Sequence, residues 1–180
     1  MIEYATISKG VAATDGMVKA AAVSLHTAKT VCPGRFIAVF SGKLAAVKAA
    51  IDFTRANYPG EMEDCFVIGR PHEGLLDALA ADRPLPFDGG GALGMLETTT
   101  VSSCALAADY CLKAADVRLH HIHYGFGMCG KCYFLISGSV ADVEEALAAA
   151  RRNISPGGAV ADWTVIANPD ESVWKAMAEG

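Results

Sequence analysis

One segment of this chain occurs twice, so whatever fold it adopts must be adopted twice. Met1-Ile-Glu-Tyr-Ala-Thr returns as Met95-Leu-Glu-Thr-Thr-Thr, and Asp15-Gly-Met-Val-Lys-Ala-Ala-Ala-Val-Ser-Leu-His returns as Asp109-Tyr-Cys-Leu-Lys-Ala-Ala-Asp-Val-Arg-Leu-His. At a fixed offset of 94 residues, 12 of the 26 positions from Met1 to His26 are identical, far more than chance supplies. Later pairs follow with slippage: Ser41-Gly42 with Ser137-Gly138, Pro59-Gly60 with Pro156-Gly157, and Glu73 with Glu171, the offset drifting to 98 as small loop insertions require. The expectation is a tandem duplication of a domain of about 90 residues. The first domain spans 1–81, a linker rich in Pro and Gly spans 82–91, and the second domain spans 92–180. An oligomer of such a chain presents twice as many domains as subunits.

Only 19% of the residues are charged, low for a pair of small domains that expose much of their surface. Large faces buried against other subunits would explain it. The net charge of −5 and the lack of a basic stripe give no case for nucleic acid. No apolar run reaches membrane-spanning length. The first residues lack the basic segment and long apolar stretch of a secretory signal, so residence in the cytoplasm is expected. Six cysteines in a reducing compartment argue against a disulfide framework, and most of them read as small buried apolar residues.

The first domain reads as a strand (Met1 to Thr6), an Ala-rich helix (Val11 to Ala22), and two strands (Val23 to Val31, Arg35 to Ser41) around a Cys32-Pro33-Gly34 turn. A helix (Lys43 to Thr54), a strand (Cys65 to Ile68) and a short helix follow. The second domain repeats the order: Ala92 to Glu97, Val101 to Ala115, Val117 to Tyr124, Lys131 to Ser137, Val140 to Ala150, Trp163 to Ala167 and Glu171 to Met177. Ser139 and Asp142 have the spacing of a capping box. The order β-α-β-β-α-β suggests an α+β sandwich of the ferredoxin-like kind, an antiparallel sheet with helices on one face.

Several residues invite a chemical reading. Cys32 sits in a turn, and one cysteine cannot hold a metal cluster. Cys129-Gly-Lys-Cys132 is a CxxC, but it lies at a strand entrance without a second CxxC to complete a zinc site. Cys132 aligns with Phe36 as a core strand position, and Cys129 aligns with Pro33. His121 and His123 alternate on one strand and so share a face, which could bind a metal or simply meet an interface. Asp15, Asp109, Lys19 and Lys113 read as helix-surface or interface residues. No Ser-His-Asp arrangement, phosphate loop or catalytic carboxylate pair is evident, so no turnover is expected.

Ala92-Leu-Gly-Met-Leu-Glu-Thr, Ala108-Asp-Tyr-Cys-Leu-Lys-Ala-Ala-Asp-Val and Ser137-Gly-Ser-Val-Ala-Asp-Val together resemble the bacterial microcompartment shell-protein domain, once in each half. Two such domains in one chain resemble the tandem-domain shell proteins, whose trimers imitate a hexamer. Lys29-Thr-Val-Cys-Pro-Gly-Arg-Phe and Phe126-Gly-Met-Cys-Gly-Lys-Cys-Tyr are similar to the iron–sulfur-bearing type found in propanediol-utilisation microcompartments. The resemblance implies a homotrimer in the shell, within the bacterial cytoplasm, tiling with hexameric shell proteins. It implies that Cys32 from three chains holds one [4Fe–4S] cluster on the three-fold axis, with turn amides available to its sulfides. It places Cys32, Pro33, Gly34, Met128, Cys129 and Gly130 around a pore, and Lys19, Lys113 and Arg70 at the lateral assembly edge. The chain departs from that type at Cys129, where the relative has glycine. It also carries Arg70-Pro71-His72 in the first half but Asn168-Pro169-Asp170 in the second, so the two kinds of edge should differ chemically. Two other readings remain open from the residues: a free-standing ferredoxin-like electron carrier or redox sensor, and a metabolite-gating pore without iron.

Overall fold

The computed structural model describes residues 1–80, 91–124, 127–154 and 159–179. The first repeat holds β1 (Ile2–Tyr4), α1 (Ile7–Ala20), β2 (Val23–Val31), β3 (Arg35–Gly42), α2 (Leu44–Asn57), β4 (Met62–Cys65) and α3 (Glu73–Ala80). The second holds β5 (Ala92–Thr98), α4 (Val101–Ala114), β6 (Arg118–His123), β7 (Cys132–Gly138), α5 (Val140–Ile154), β8 (Val160–Ile166) and α6 (Glu171–Glu179). Each repeat makes a four-stranded antiparallel sheet, ordered β2-β3-β1-β4 and β6-β7-β5-β8. That is the ferredoxin-like order expected from β-α-β-β-α-β, met twice.

Alternation along the strands fixes what each sheet face does. In the first repeat Ile2, Tyr4, Phe36, Ala38 and Phe40 meet Ala13 and Met17 of α1 and Ala50 and Ile51 of α2 in one core. Gly10 on α1 lets the helix approach closely: a Cβ there would stand 2.7 Å from the Phe36 Cβ. In the second repeat Gly94 plays the same part, its missing Cβ lying 2.6 Å from Val143 Cγ1 of α5. The opposite face of that sheet carries Leu93 and Leu135, and Trp174 of α6 packs onto them. The second sheet is therefore covered on both faces, whereas helices on one face were expected.

Two boundaries move for physical reasons. The apolar run Cys65 to Ile68 suggested the fourth strand, but β4 is Met62–Cys65, because pairing with the three residues of β1 runs from Tyr4↔Met62 to Ile2↔Cys65. Helix α1 begins at Ile7 rather than Val11, straight after Thr6 in an extended N-cap conformation. Ser139 caps α5 by accepting from the Asp142 amide at 3.1 Å, and its hydroxyl donates to the Asp142 carboxylate.

By compactness the chain divides into Met1–Gly69 with Gly125–Gly130, and Arg70–Tyr124 with Lys131–Gly180. The domain boundary expected near residue 81 follows the sequence repeat; compactness instead assigns α3 to the second unit, where it packs on β6 and α4 with Leu75 and Ala78 buried. The linker expected at 82–91 lies, except for Gly91, outside the described residues. No described helix is long and apolar enough to cross a membrane.

Candidate functional site

Register pairing of Val31 with Arg35 closes β2 and β3 through Cys32, Pro33 and Gly34 alone. A turn this tight requires a positive φ, and Gly34 supplies it at 91°. The Cys32–Pro33 peptide is cis. Cys32 is a free, half-buried thiol beside this bend, and a Cβ on Gly34 would find no atom within 4 Å. The Gly34 amide, expected to be available to a cluster sulfide, donates instead to the Val31 carbonyl at 3.1 Å.

The β6–β7 connection is the repeat of this turn. Phe36 pairs with Tyr4 and Cys132 with Thr98, so Phe36 and Cys132 are equivalent. Counting back, Arg35 corresponds to Lys131, Gly34 to Gly130, Pro33 to Cys129 and Cys32 to Met128. Gly130 repeats the positive φ of Gly34 at 89°, and Cys129 adopts φ 49°, a region that side chains with a Cβ rarely occupy. The first compact unit brings two of the expected pore residues together: a Cβ on Gly130 would stand 3.3 Å from Pro33 Cδ and 3.4 Å from Arg35 Nη1. Gly125 and Phe126 lie outside the described residues.

The CxxC thiols live in different surroundings. Cys129 is exposed, while Cys132 is buried in β7, and neither is in a disulfide. Cys111 is also buried, its Sγ donating to the Ala146 carbonyl at 3.3 Å, and burial pushes its thiol far above the usual range. It is an apolar filler rather than a nucleophile.

Sequence reasoning missed the ion pairs at the base of both turns. Arg35 forks, Nη1 donating to the fully buried Glu3 at 2.9 Å and Nη2 to Glu63 at 2.6 Å. Its counterpart Lys131 stands 3.9 Å from Glu97, the repeat of Glu3. The signal lay in the repeat itself: a carboxylate at positions 3 and 97, and a cation directly after each turn glycine.

At the expected lateral edge, Lys19 ends α1 and pairs with Asp15 at 2.7 Å, both exposed. Lys113 ends α4 and pairs with Asp109. Asp109, read as a surface or interface residue, is buried, and its Oδ1 also accepts the His72 amide at 2.8 Å. Arg70 is exposed in the bend after β4. His121 Nε2 and His123 Nδ1 stand 3.4 Å apart, and His123 stacks on Tyr133. Burial, and then the neighbouring His123, lower the His121 pKa. A second repeated pair escaped the sequence reading too. His26 bonds Ser41 at 2.6 Å and His120 bonds Ser137 at 2.7 Å, each histidine sitting at a register shift of its sheet.

No group of three or more His, Cys, Asp or Glu side chains gathers among the described residues. One Cys32 cannot by itself ligate a cluster that takes three or four thiolates. Cys32 suits thiolate ligation chemically: it is outside any disulfide, partly exposed and the first residue of a three-residue turn.

Against known proteins, the family model described as the BMC domain matches residues 1–71 and 92–169, one match on each repeat. The chain is 37% identical over 181 residues to the bacterial microcompartment shell protein PduT of Citrobacter freundii, covering 100% of this chain and 97% of that one. A solved microcompartments protein from Desulfitobacterium hafniense DCB superposes with TM-score 0.84 at 34% identity, covering 97% of this chain and 96% of the other. The fused permuted hexameric shell protein of the RMM microcompartment, at 24% identity and TM-score 0.66 over 86% of this chain and 81% of the other, shares the fold.

Proposed function

The chain belongs to the BMC-domain family of bacterial microcompartment shell proteins, and on that premise we propose that three copies form a pseudohexameric shell unit whose axis carries one [4Fe–4S] cluster held by the three Cys32 thiolates. The observation that carries this reading is a single free thiol at the apex of the β2–β3 turn in a two-domain shell fold. Cys32, Pro33 and Gly34 then line the centre with Met128, Cys129 and Gly130, as the Gly130–Pro33 proximity supports. When bound, such a cluster supplies one-electron exchange or is itself cargo, and the subunit serves as an electron or cluster route through the shell.

The chain's own residues hold the thiol in place. Arg35 follows the turn directly and is clamped by Glu3 below and Glu63 beside it, so the turn is anchored to β1 and β4 rather than left to swing. The Gly34–Val31 hydrogen bond closes the turn itself. Lys19, Lys113 and Arg70 supply lateral contacts to hexameric shell neighbours, weak singly and strong by number. The two edges differ, since Arg70-Pro71-His72 in one is Asn168-Pro169-Asp170 in the other.

Native mass spectrometry of protein purified without oxygen, beside a Cys32→Ala variant, tests this. The expected result is a trimer carrying one [4Fe–4S] mass increment, lost in the variant while the trimer persists. A clean trimer without iron would retain the shell subunit and make Cys32 the lining of a metabolite gate. A monomer, or iron retained by the variant, would overturn the reading.

A further inference from the structure

The two repeats are alike in backbone and unlike in burial, and the difference falls on one set of equivalent positions. In the second unit, α3 docks across β6 and α4. Its Leu75 is 2% exposed, the position of a Cβ on the neighbouring Gly74 lies 3.6 Å from Leu112 Cδ1, and Leu119 on β6 is 2% exposed. The docking is pinned where the His72 amide donates to Asp109 Oδ1 at 2.8 Å.

An offset of 94 carries Asp109, Leu112 and Leu119 back to Asp15, Val18 and Leu25 in the first repeat. These three form the same kind of surface, on α1 and β2, and all are open: Val18 is 38% and Leu25 42% exposed, and the Asp15 side chain 61%. Among the described residues Asp15 has Lys19 as its side-chain partner. The first repeat thus displays the seat on which the second repeat receives a helix.

The helix that fits the seat is also present and also open. An offset of 98 carries His72, Gly74 and Leu75 to Asp170, Ser172 and Val173. The equivalence is structural, not only sequential. His72 O accepts from the amides of Leu75 and Leu76, and Asp170 O accepts from those of Val173 and Trp174. His72 Nδ1 accepts from the Gly74 amide at 3.1 Å, and Asp170 Oδ1 accepts from the Ser172 amide at 2.8 Å. Both helices therefore start on the same cap. Yet Val173, the counterpart of the buried Leu75, is 42% exposed, while its neighbour Trp174 anchors α6 to its own sheet.

We infer that α6 of one copy docks on the α1–β2 face of a second copy of this chain, Val173 covering Val18 and Leu25 and the Asp170 amide donating to the Asp15 carboxylate. The same contact, with equivalent residues, already exists inside the chain through α3. Seat and helix are built from different residues of one chain, so the contact is heterologous and each copy both gives and receives, as a closed ring demands. The inference rests on the trimeric shell reading and deepens it by naming the residues that join the copies. It also distinguishes the two seams. The capping residue is His72 within the chain and Asp170 between chains, which sets a second carboxylate beside Asp15 only at the intermolecular seam.

The test mixes two purified chains, one carrying Asp15→Cys and the other Asp170→Cys, and oxidises them. Peptide mass spectrometry should find a link between positions 15 and 170 joining different chains, absent when either chain is oxidised alone. In parallel, Val173→Asp should raise the concentration at which the assembly half-forms by about tenfold or more, since it puts a charge into an apolar seat. Its far-ultraviolet circular dichroism should be unchanged, because Val173 is exposed in the single chain. A trimer that forms normally with Val173→Asp and yields no 15–170 link would overturn this contact and leave the shell reading intact. An unmodified chain that sediments as a monomer at every concentration would overturn both.

Discussion

Replacing Arg35 by alanine should be far more damaging than the same change at Lys131, although the two residues occupy equivalent places. Arg35 bridges Glu3, which is fully buried, and the half-exposed Glu63. Its removal takes the cation away from a fully buried carboxylate, and breaking a buried pair in this way costs about 3–5 kcal/mol. Lys131 stands 3.9 Å from a Glu97 side chain that is 34% exposed, where water can take over, and the loss is about 0–1 kcal/mol. For a chain of this size about 1 kcal/mol moves the midpoint by about 2–4 °C. Arg35→Ala should therefore melt about 6–20 °C lower and Lys131→Ala about 4 °C lower at most. Thermal unfolding followed by circular dichroism, at one fixed concentration because assembly shifts the midpoint, measures both. Adding Glu3→Gln to Arg35→Ala should recover part of the loss, since it removes the buried charge that Arg35 balanced. Equal shifts for the two alanine variants, or no recovery in the double variant, would refute the reasoning.

The paired design supplies further contrasts. Thr100 caps α4 by accepting the Ser103 amide at 3.2 Å, whereas Thr6 makes no such bond to α1, so Thr100→Ala should cost about 1 kcal/mol and Thr6→Ala a few tenths in urea unfolding. Gly94→Ala must push a Cβ to within 2.6 Å of Val143 Cγ1 and should destabilise by about 1–3 kcal/mol, while Gly69→Ala, with nothing within 4 Å, should be neutral or slightly stabilising by the same measurement. The Ser172 hydroxyl and amide hold the Asp170 carboxyl below its usual 3.8, so the cap stabilises the fold above that value and the benefit is lost as pH falls through the lower, folded-state value. Acid titration of an Asp170→Asn variant should accordingly lack that final loss of stability; an unchanged acid limb would count against the cap.

The repeat, the element order and most element positions were legible because each follows from local patterning. The turn at Cys32-Pro33-Gly34 needed only Pro and Gly, and Cys132 as a core residue needed only its alignment with Phe36. The β4 boundary was not legible, because it depends on which three residues of β1 are available for pairing, and the apolar run beside it pointed the wrong way. The Glu3–Arg35–Glu63 clamp was missed for a related reason: its members come from β1, β3 and β4, and nothing in any one strand announces the other two. The CxxC misleads in the opposite direction, since two cysteines three positions apart end in different environments once one lies in a left-handed turn and the other in a buried strand.

By itself, the amino-acid sequence determined that there are two ferredoxin-like domains of the shell type, because duplication preserves the local signals that build each sheet and helix. Tertiary structure alone decided what each copy of a residue does. Asp15 and Asp109, or Val173 and Leu75, are near-equals in sequence and opposites in burial, because α3 finds a partner surface within the chain while the matching surfaces for α6 remain open. Local propensity is the same in both copies; solvent exposure depends on what else packs there, and that is a property of the folded chain.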